Sequence, residues 1–405
     1  MKFNKIQINL KDYKKLNIQD SSKVEINRTN KTIEKFTFSA HSDLQDCEIS
    51  EINKLGATWR DVYRVRFNLS GDFEPGDSIG ILCPNKDEYA EKMLEFLNLK
   101  DEAYEIQRDG KNAFDFKGRL FDFFKYVYDF TGLPKKSTLM RLSKGNKYLE
   151  YLSSREGSVD YFGMIKNWNN ILDVICMFGC KPTLEDVISG CEILKPRYYS
   201  LINKKDENYE ILAGVISKEV QMYNTNSRND YSSSDYSNGD YSNGDYSSSY
   251  ACGTETRYGH FSQFIKNPNG FIKICHRPSK LMRLNNSKKA LIICTGTGLA
   301  PFLSFLKNKQ TDQKFWVIYG FRNLEDDLFE GVYENTVVDK ILSSQGAHVT
   351  DFLKLNSTKI KEYTEKDCSV YVCGRMDMQK EVFRIFVAEF NTVVEEKRLF
   401  FDSWQ

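Results

Sequence analysis

The segment CTGTGLAPF (residues 294–302) decides how the last third of this chain is interpreted. The apolar run KALIICT before it predicts a buried strand, and Ala300 with Pro301 marks the start of a helix. Glycines in such a turn allow close approach of the backbone to a ligand, and the helix start presents free N–H groups. We predict a pyrophosphate site here, with a simple tight connection as the alternative. The predicted site consists of Gly296, Thr297, Gly298 and Pro301.

Apolar strands and amphipathic helices alternate through the rest of this region. The order is the helix LAPFLSFLKNK, the strand FWVIYGF, a helix in VYENTVVDKILSS, the strand SVYVCG and the helix DMQKEVFRIFVAEFN. This alternation predicts a doubly wound parallel sheet that binds its ligand at the carboxyl ends of the strands. Arg322 and Cys373 are predicted at that edge. The alternatives are a surface arginine and a small buried hydrophobic residue.

The region before residue 284 has a different character. VYRVRFNLSG (62–71) and FEPGDSIGILCPN (73–85) have the pattern of antiparallel strands, and the same pattern returns at 192–202 and 209–223. Between them, residues 87–190 carry apolar side chains three and four apart, which indicates mainly helices. The sequence therefore predicts a helical block inserted into a β domain.

These patterns give predicted boundaries. Residues 224–250 repeat a DYSNG-like unit with almost no aliphatic side chains, which favours an exposed disordered loop over a phosphorylated or aggregation-prone tract. The predicted regions are an N-terminal extension (1–56), a β domain (57–86 and 191–283, with 224–256 as the disordered insertion), a helical subdomain (87–190) and a parallel-sheet domain (284–405).

Composition excludes several classes of function. The formal net charge of +1 provides no basic surplus for a nucleic-acid or membrane partner. No run of eighteen apolar residues and no signal peptide is present, so we expect a cytoplasmic protein without a membrane segment. The ten cysteines include no CxxC pair, and the chain has four histidines, so we expect reduced thiols and no metal site.

The order of the motifs resembles one known family. RYYS (197–200), GTGLAP (296–301), YGFR (319–322), Cys373-Gly374 and a terminal Asp-x-Trp together resemble the ferredoxin-reductase-like FAD/NADPH module of the diflavin reductases. The resemblance covers residues from about 57 to 405. It implies an antiparallel FAD-binding β-barrel with an inserted helical subdomain, followed by a doubly wound NAD(P)-binding domain. It also implies an enzyme that transfers hydride from NADPH to FAD.

The resemblance implies roles for individual residues. Arg197 would contact the FAD phosphate, Tyr199 would stack on the isoalloxazine, and the Ser200 hydroxyl would lie near the flavin nitrogen that receives hydride. Gly259 and Ser262 match a second FAD motif, in which His260 and Phe261 replace the usual small residues. The implied cofactor-binding residues are Arg197, Tyr198, Tyr199, Ser200, Gly259, Ser262, Gly296, Thr297, Gly298, Pro301, Arg322 and Trp404.

The same resemblance implies a catalytic group. Cys373 and Asp402 would line the nicotinamide and assist hydride transfer with Ser200. Trp404 would cover the flavin on the face where nicotinamide stacks, so it would have to move; the alternative is an aromatic residue that fills a cleft between domains. The implied catalytic residues are Ser200, Cys373, Asp402 and Trp404.

Two departures from the family pattern affect the cofactors. DFLKLNSTKIKEYTEKDC (351–368) lacks the Ser-Arg pair that binds the 2′-phosphate of NADPH, and Lys354, Lys359 and Lys361 would act there as point charges. NADPH is still expected over NADH. No flavodoxin-like FMN domain fits before residue 57, so the expected acceptor is a separate FMN-binding protein or a metalloprotein such as methionine synthase.

Within the family, GILCPNKDEYAEKMLEFLNL (80–99) and EEKRLFFDSW (395–404) look most like the methionine synthase reductases, which implies a role in methionine biosynthesis. The iron–sulfur assembly and cytochrome-type reductases are the alternative. A catalytically degraded homologue that serves as a partner-binding scaffold is a third possibility. The sequence leaves open the electron acceptor, the oligomeric state and the role of the Tyr/Ser/Asp-rich loop.

Overall fold

The computed structural model describes residues 14–16, 23–29, 33, 35–56, 58–110, 113–223, 251–268 and 271–402. The chain divides into two compact units. The first, here called the helical unit, comprises Met1–Asp43, Cys83–Lys195 and Ser217–Gln263; the second, here called the sheet unit, comprises Leu44–Leu82, Pro196–Ile216 and Phe264–Gln405. The segments of the two units alternate along the chain, as expected for an insertion.

Strands and helices are numbered in chain order. The strands are β1 (Val24–Arg28), β2 (Thr37–Phe38), β3 (Gln45–Cys47), β4 (Ile49–Leu55), β5 (Val62–Phe67), β6 (Ser78–Leu82), β7 (Ala103–Arg108), β8 (Phe114–Arg119), β9 (Arg197–Ser200), β10 (Glu210–Gly214), β11 (Ser217–Tyr223), β12 (Ala251–Tyr258), β13 (Ile272–Arg277), β14 (Lys289–Thr295), β15 (Lys314–Phe321), β16 (Thr336–Leu342), β17 (Cys368–Cys373) and β18 (Leu399–Asp402). The helices are α1 (Asp87–Leu97), α2 (Leu120–Tyr126), α3 (Lys136–Ser143), α4 (Lys147–Ser153), α5 (Ser158–Lys166), α6 (Ile171–Phe178), α7 (Leu184–Ser189), α8 (His260–Lys266), α9 (Ala300–Asn308), α10 (Val349–Leu355), α11 (Ser357–Thr364), α12 (Met376–Glu389) and α13 (Asn391–Glu395).

The helical unit combines helices α1 to α7 with an antiparallel sheet in the order β1-β7-β8-β2. The region 87–190 is mainly helical, as predicted, but it also contributes β7 and β8, and β1 and β2 come from the predicted N-terminal extension. Both β7 and β8 alternate buried and more exposed residues, the period that a half-buried strand requires. Asn170 and Thr183 start α6 and α7 with reciprocal capping boxes.

The hairpin β11–β12 also belongs to the helical unit. Its strands pair antiparallel from Ser217 opposite Tyr258 to Tyr223 opposite Ala251. Residues 251–256, which the sequence assigns to the disordered insertion, therefore lie in a strand, because alternating Thr and Glu side chains suit a solvent-exposed ladder. Residues 224–250 of the predicted loop lie outside the described residues.

The sheet unit contains two antiparallel sheets, in the orders β10-β5-β4 and β3-β13-β6-β9. An isolated bridge between Leu201 and Ile211 joins them. Strands β3 and β4 lie in the predicted N-terminal extension, so the β domain starts earlier than residue 57. The alternation in ISEINKL (49–55) suits β4, which pairs with β5.

The third sheet of this unit is parallel, in the order β16-β15-β14-β17-β18. The interior of β14 and all of β17 are buried, as strands covered on both faces must be. Strand β16 corrects the predicted helix in VYENTVVDKILSS, whose apolar pairs at 337–338 and 341–342 fit both periods. The predicted combination of antiparallel sheets and a doubly wound parallel sheet is confirmed.

The longest described helix, α12, has 14 residues. No helix in the described ranges is long and apolar enough to cross a membrane. In the same ranges, no group of three or more His, Cys, Asp or Glu side chains is arranged to hold a metal ion.

Candidate cofactor-binding site

The candidate site lies at the carboxyl edge of the parallel sheet. The ladders pair Cys294 with Cys373 and Cys373 with Asp402, so the ends of β14, β17 and β18 meet at one edge. The strand order reverses between β14 and β17, which places a ligand crevice outside their carboxyl ends. Arg322 follows β15 directly at the same edge and is exposed. The structure thus places these predicted residues where the sequence analysis expects them.

The turn after β14 contains two glycines with different physical roles. Gly296 has φ of 53°, and no atom lies within 4 Å of the position that a Cβ would take there. Gly298 has no such room, because its Cβ would lie 2.7 Å from the Gly374 nitrogen and 2.8 Å from the Gly374 Cα. The close packing of the turn against the end of β17 explains Gly298, whereas Gly296 leaves an open approach to the backbone.

Helix α9 begins immediately after this turn, with Pro301 in its first positions. Residues Gly296–Leu299 form a 3-10 turn that runs into α9, and the Ala300 N–H donates to the Thr297 carbonyl. No side chain in the described part of the chain caps this turn or α9, so the N–H groups available to another acceptor are those at the start of the turn. An open glycine followed by an uncapped helix start fits a diphosphate in shape and charge. The predicted residues Thr297 and Pro301 lie in this arrangement.

Cys373 and Asp402 form a pair at the same edge. The Cys373 thiol donates to Asp402 Oδ2 across 4.0 Å. Burial raises the pKa of the Cys373 thiol well above its ordinary value of 9.0, and the nearby Asp402 and Cys294 raise it further. The thiol is therefore protonated at neutral pH and acts as a hydrogen-bond donor rather than as a thiolate nucleophile.

Arg60 is a residue of this edge that the sequence analysis missed. A Cβ built on Gly214 would lie 3.2 Å from Arg60 Cδ, 3.5 Å from Arg60 Nη1 and 3.7 Å from Thr297 Cγ2. The side chains of Arg60 and Thr297 therefore both approach Gly214. Burial lowers the pKa of Arg60, and no carboxylate among the described residues pairs with it. A single arginine before a strand is common at protein surfaces, so the sequence carries no specific signal for it.

A hydrogen-bonded cluster of Thr58, Asp326 and Asn323, here called the latch, holds the segment that carries Arg60. The backbone N–H of Thr58 donates to Asp326 Oδ1 (2.7 Å), and its hydroxyl donates to Asp326 Oδ2 (3.0 Å). Asn323 Nδ2 donates to the same hydroxyl across 2.6 Å. The latch fixes residues 58–60 against the turn that follows β15.

The first predicted flavin motif forms strand β9 at the end of its sheet. Ser200 is buried, and Arg197 and Tyr199 are half-buried. The Arg277 guanidinium lies 4.2 Å from the centre of the Tyr198 ring. Neighbouring Gly80 leaves room for that ring, because its Cβ would lie 2.8 Å from Tyr198 Cε1. Ser200 lies in an antiparallel sheet, whereas Cys373 and Asp402 lie in the parallel one.

The other predicted residues are less closely grouped. Gly259 precedes α8 in the helical unit, where Ser262 and Phe261 are buried. Phe261 thus occupies a core position in place of the family's small residue. Trp404 lies outside the described residues. Lys354 pairs with Glu381 at 3.3 Å.

Comparisons with known proteins agree with this geometry. The FAD binding domain family matches residues 46–227, and the oxidoreductase NAD-binding domain family matches residues 292–383. The sulfite reductase [NADPH] flavoprotein alpha-component of Mannheimia succiniciproducens is 24% identical over 338 residues, which cover 78% of this chain and 50% of that protein. The corresponding protein of Buchnera aphidicola subsp. Acyrthosiphon pisum is 23% identical over 372 residues, which cover 85% of this chain and 56% of that protein.

Methionine synthase reductase of Mus musculus is 23% identical over 372 residues, which cover 80% of this chain and 52% of that protein. Among solved structures, a mutant ferredoxin-NADP+ reductase from Plasmodium falciparum aligns with a TM-score of 0.47 and 14% identity, over 89% of this chain and 96% of that one. The chain spans about half the length of the curated relatives it matches.

This chain carries an FAD-binding domain and an oxidoreductase NAD-binding domain, and it is homologous to the sulfite reductase flavoprotein component and to methionine synthase reductase. The predicted resemblance to this group of reductases is confirmed. The predicted cofactor types, FAD and a nicotinamide dinucleotide, are confirmed with it.

Proposed function

We propose that this chain is an NADPH-dependent flavoprotein reductase that binds FAD and passes electrons from NADPH to a separate redox protein. The observation that carries the proposal is the carboxyl edge of the parallel sheet, where the open Gly296 turn and the uncapped start of α9 adjoin the Cys373–Asp402 pair. The FAD-binding and NAD-binding domain matches support the assignment of both cofactors.

The diphosphate of the nicotinamide cofactor is bound by Gly296, Thr297 and the N–H groups at the start of the 3-10 turn that leads into α9. Arg60 supplies the positive charge, because its side chain and that of Thr297 both approach Gly214 and it lacks a carboxylate partner in the described part of the chain. Bound FAD and NADPH supply the redox chemistry, while the protein positions them and excludes water. The protonated Cys373 thiol orients the Asp402 carboxylate beside the nicotinamide.

The flavin is held by the residues that match the family motifs. Arg197 binds the FAD phosphate, Tyr199 stacks on the ring system and Ser200 faces the reacting edge of the flavin. Gly259 and Ser262, which lie in the helical unit, match the second FAD motif of the family. Their positions at the end of a sheet and at a strand-to-helix junction support these roles. Arg322 contacts a cofactor phosphate.

NADPH is the proposed electron donor, which the names of the sulfite reductase relatives support. Lys354 is engaged by Glu381, so the 2′-phosphate is bound by the exposed Lys359 and Lys361 on α11. Because ammonium groups are point charges without a bidentate geometry, we expect a modest preference over NADH.

The acceptor is a redox protein of the kind that the relatives serve. The sulfite reductase flavoprotein component is the relative that favours a sulfite-reducing partner. The methionine synthase reductase-like stretches at 80–99 and 395–404, with the matching mouse protein, favour methionine synthase as the second candidate. A flavodoxin-like FMN protein as intermediate carrier is compatible with both.

The proposal is tested with purified chain reconstituted with FAD. We expect a yellow protein whose flavin absorbance is bleached by NADPH under anaerobic conditions, faster than by NADH, and which reduces ferricyanide. Transfer to a flavodoxin-like protein, to a sulfite reductase partner and to oxidised methionine synthase then separates the candidate acceptors. A protein that takes up no FAD, or whose bound flavin NADPH does not bleach, would support the scaffold alternative instead.

A further inference from the structure

We infer that Gln379 is a positioning residue that ties the carboxyl ends of β17 and β18 together and thereby sets the position of Cys373 and Asp402. Its side-chain Nε2 donates to the Gly374 carbonyl (2.7 Å) and to the Asp402 carbonyl (2.8 Å). One side-chain amide thus joins the residues that follow and end the two strands. The inference rests on the proposed function, because it concerns the edge at which the nicotinamide is bound.

Both carbonyls lie where the ladder ends, because Cys373 and Asp402 are its last pair between β17 and β18 in the described residues. Gln379 has two amide hydrogens and satisfies both carbonyls at once. Its side chain is buried at 3% exposure, which shields both hydrogen bonds from water.

The position of Gln379 is itself fixed. It lies in the first turn of α12, and its backbone N–H donates to the Arg375 carbonyl across 3.0 Å. Gly374, its nearer partner, has φ of 134° and packs so closely that its Cβ would lie 2.6 Å from Met378 Cε. The Asp402 carbonyl is therefore held to a rigid helix start. The thiol-to-carboxylate contact of 4.0 Å tolerates little displacement.

The chain offers a matched control at the opposite edge of the same sheet. Gln313 is also buried at 3% exposure, and its Nε2 donates to the carbonyls of Asn285 and Ser287, each at 2.9 Å. These residues precede β14 and β15, so they lie at the amino edge. Both glutamines are buried and donate to two backbone carbonyls, and they differ in the edge that they hold; Gln313 Oε1 also accepts from the Gln310 N–H across 3.0 Å.

The test compares Gln379→Met with Gln313→Met, because methionine keeps the length of the side chain and removes the donor. Two measurements need no cofactor: the rate at which a thiol reagent alkylates Cys373, followed by peptide mass spectrometry, and hydrogen exchange in Leu399–Asp402. A third measurement follows the bleaching of bound flavin by NADPH. Thermal unfolding and FAD affinity are recorded for both variants.

We expect similar losses of thermal stability in both variants. Only Gln379→Met should accelerate alkylation of Cys373 and exchange in β18, by about tenfold, the factor that follows from losing a hydrogen bond or two of ordinary strength. The same variant should slow flavin bleaching with unchanged FAD affinity. Equal changes of alkylation and exchange rates in both variants, or unchanged rates in Gln379→Met, would overturn the inference. If wild-type flavin is not bleached at all, the proposed function fails, whereas alkylation and exchange still decide whether Gln379 holds this edge.

Discussion

Two arginines show how the helical unit and the sheet unit use positive charge in opposite ways. In the helical unit, Arg257 forms a bidentate pair with Asp173 at 2.5 and 2.8 Å and bonds to Glu255 at 2.6 Å. Burial lowers the pKa of Arg257, but its hydrogen bonds to these carboxylates outweigh that effect and raise it. In the sheet unit, Arg60 is subject to the same desolvation, and no carboxylate in the described part of the chain offsets it.

The presence or absence of a carboxylate partner distinguishes an arginine that stabilises the fold from one that is available to bind a ligand. The charge of Arg257 is neutralised inside its own unit, where it ties β12 to the start of α6. The Arg60 guanidinium lies 5.1 Å from the centre of the Trp59 ring, and its charge is otherwise available to solvent or to an anionic ligand beside the Gly296 turn. The two glycines of that turn differ in the same way, since Gly298 is enclosed by backbone and Gly296 is open. Substitution of Arg257 or Gly298 should therefore lower the free energy of unfolding. Substitution of Arg60 or Gly296 should instead weaken cofactor binding.

The largest effect is expected for Arg257→Ala. Asp173 would remain buried without its partner, and breaking a buried ion pair from one side costs about 3–5 kcal/mol in the free energy of unfolding. Chemical denaturation of the FAD-free protein measures this change. The control is Arg375→Ala, whose pair with Asp377 at 3.6 Å is exposed and should leave the unfolding midpoint unchanged. Equal midpoints for the two variants would contradict the structural role of Arg257.

The second largest effect on stability is expected for Gly298→Ala, which we compare with Gly296→Ala. A Cβ at Gly298 would lie within 2.9 Å of three backbone atoms of Cys373 and Gly374, and such overpacking costs about 1–3 kcal/mol of stability. At Gly296 the added methyl meets no atom and costs about 1 kcal/mol through its positive φ alone. Thermal unfolding should therefore rank Gly298→Ala as less stable. Titration with NADP+ should show weaker binding in Gly296→Ala, and unchanged binding there would remove that glycine from the site.

The sequence predicts those parts of the molecule whose causes are local. The strand, turn and helix around residues 294–302 follow from periodicity and glycine chemistry, and Cys373 follows from its place at a strand end. Strand β16 is not predicted because its paired apolar residues suit a helix equally well. Only pairing with β15 decides in favour of the strand.

Arg60 and Gln379 are missed for a different reason. Arg60 and Thr297 both approach Gly214, so three distant segments create the environment of Arg60. Gln379 gains its role from the Asp402 carbonyl, 23 residues further along the chain. Neither residue stands in a local pattern that distinguishes it from an ordinary surface side chain. The partners that give these side chains a role are supplied by tertiary structure.

Arg60→Ala should weaken cofactor binding while leaving the fold intact. Loss of a charge-assisted hydrogen bond to a phosphate raises the dissociation constant of NADP+ by about tenfold or more. Calorimetric titration at a fixed salt concentration measures this dissociation constant. Arg66→Ala is the matched control, since Arg66 lies on the adjacent strand β5 and is engaged by Glu51 and Glu210 at 2.7 and 2.9 Å. A similar loss in both variants would indicate a general effect of charge rather than a contact of Arg60.

The smallest effect concerns two buried thiols, one in each unit. Burial raises the pKa of Cys191 to about 12 even though it lies beside Arg108, and it raises the pKa of Cys373 well above 9.0 with Asp402 adding to the shift. Above pH 9 the unfolded chain releases these thiol protons while the folded chain keeps them, so the unfolded state binds fewer protons and stability falls as pH rises. Each thiol should account for about 1 kcal/mol of the loss between pH 8 and pH 10. Urea unfolding of Cys373→Ala and Cys191→Ala at both pH values should therefore give a shallower decline than wild type. An unaltered slope in Cys373→Ala would mean that solvent reaches the thiol at the carboxyl edge, in conflict with a closed Cys373–Asp402 pair.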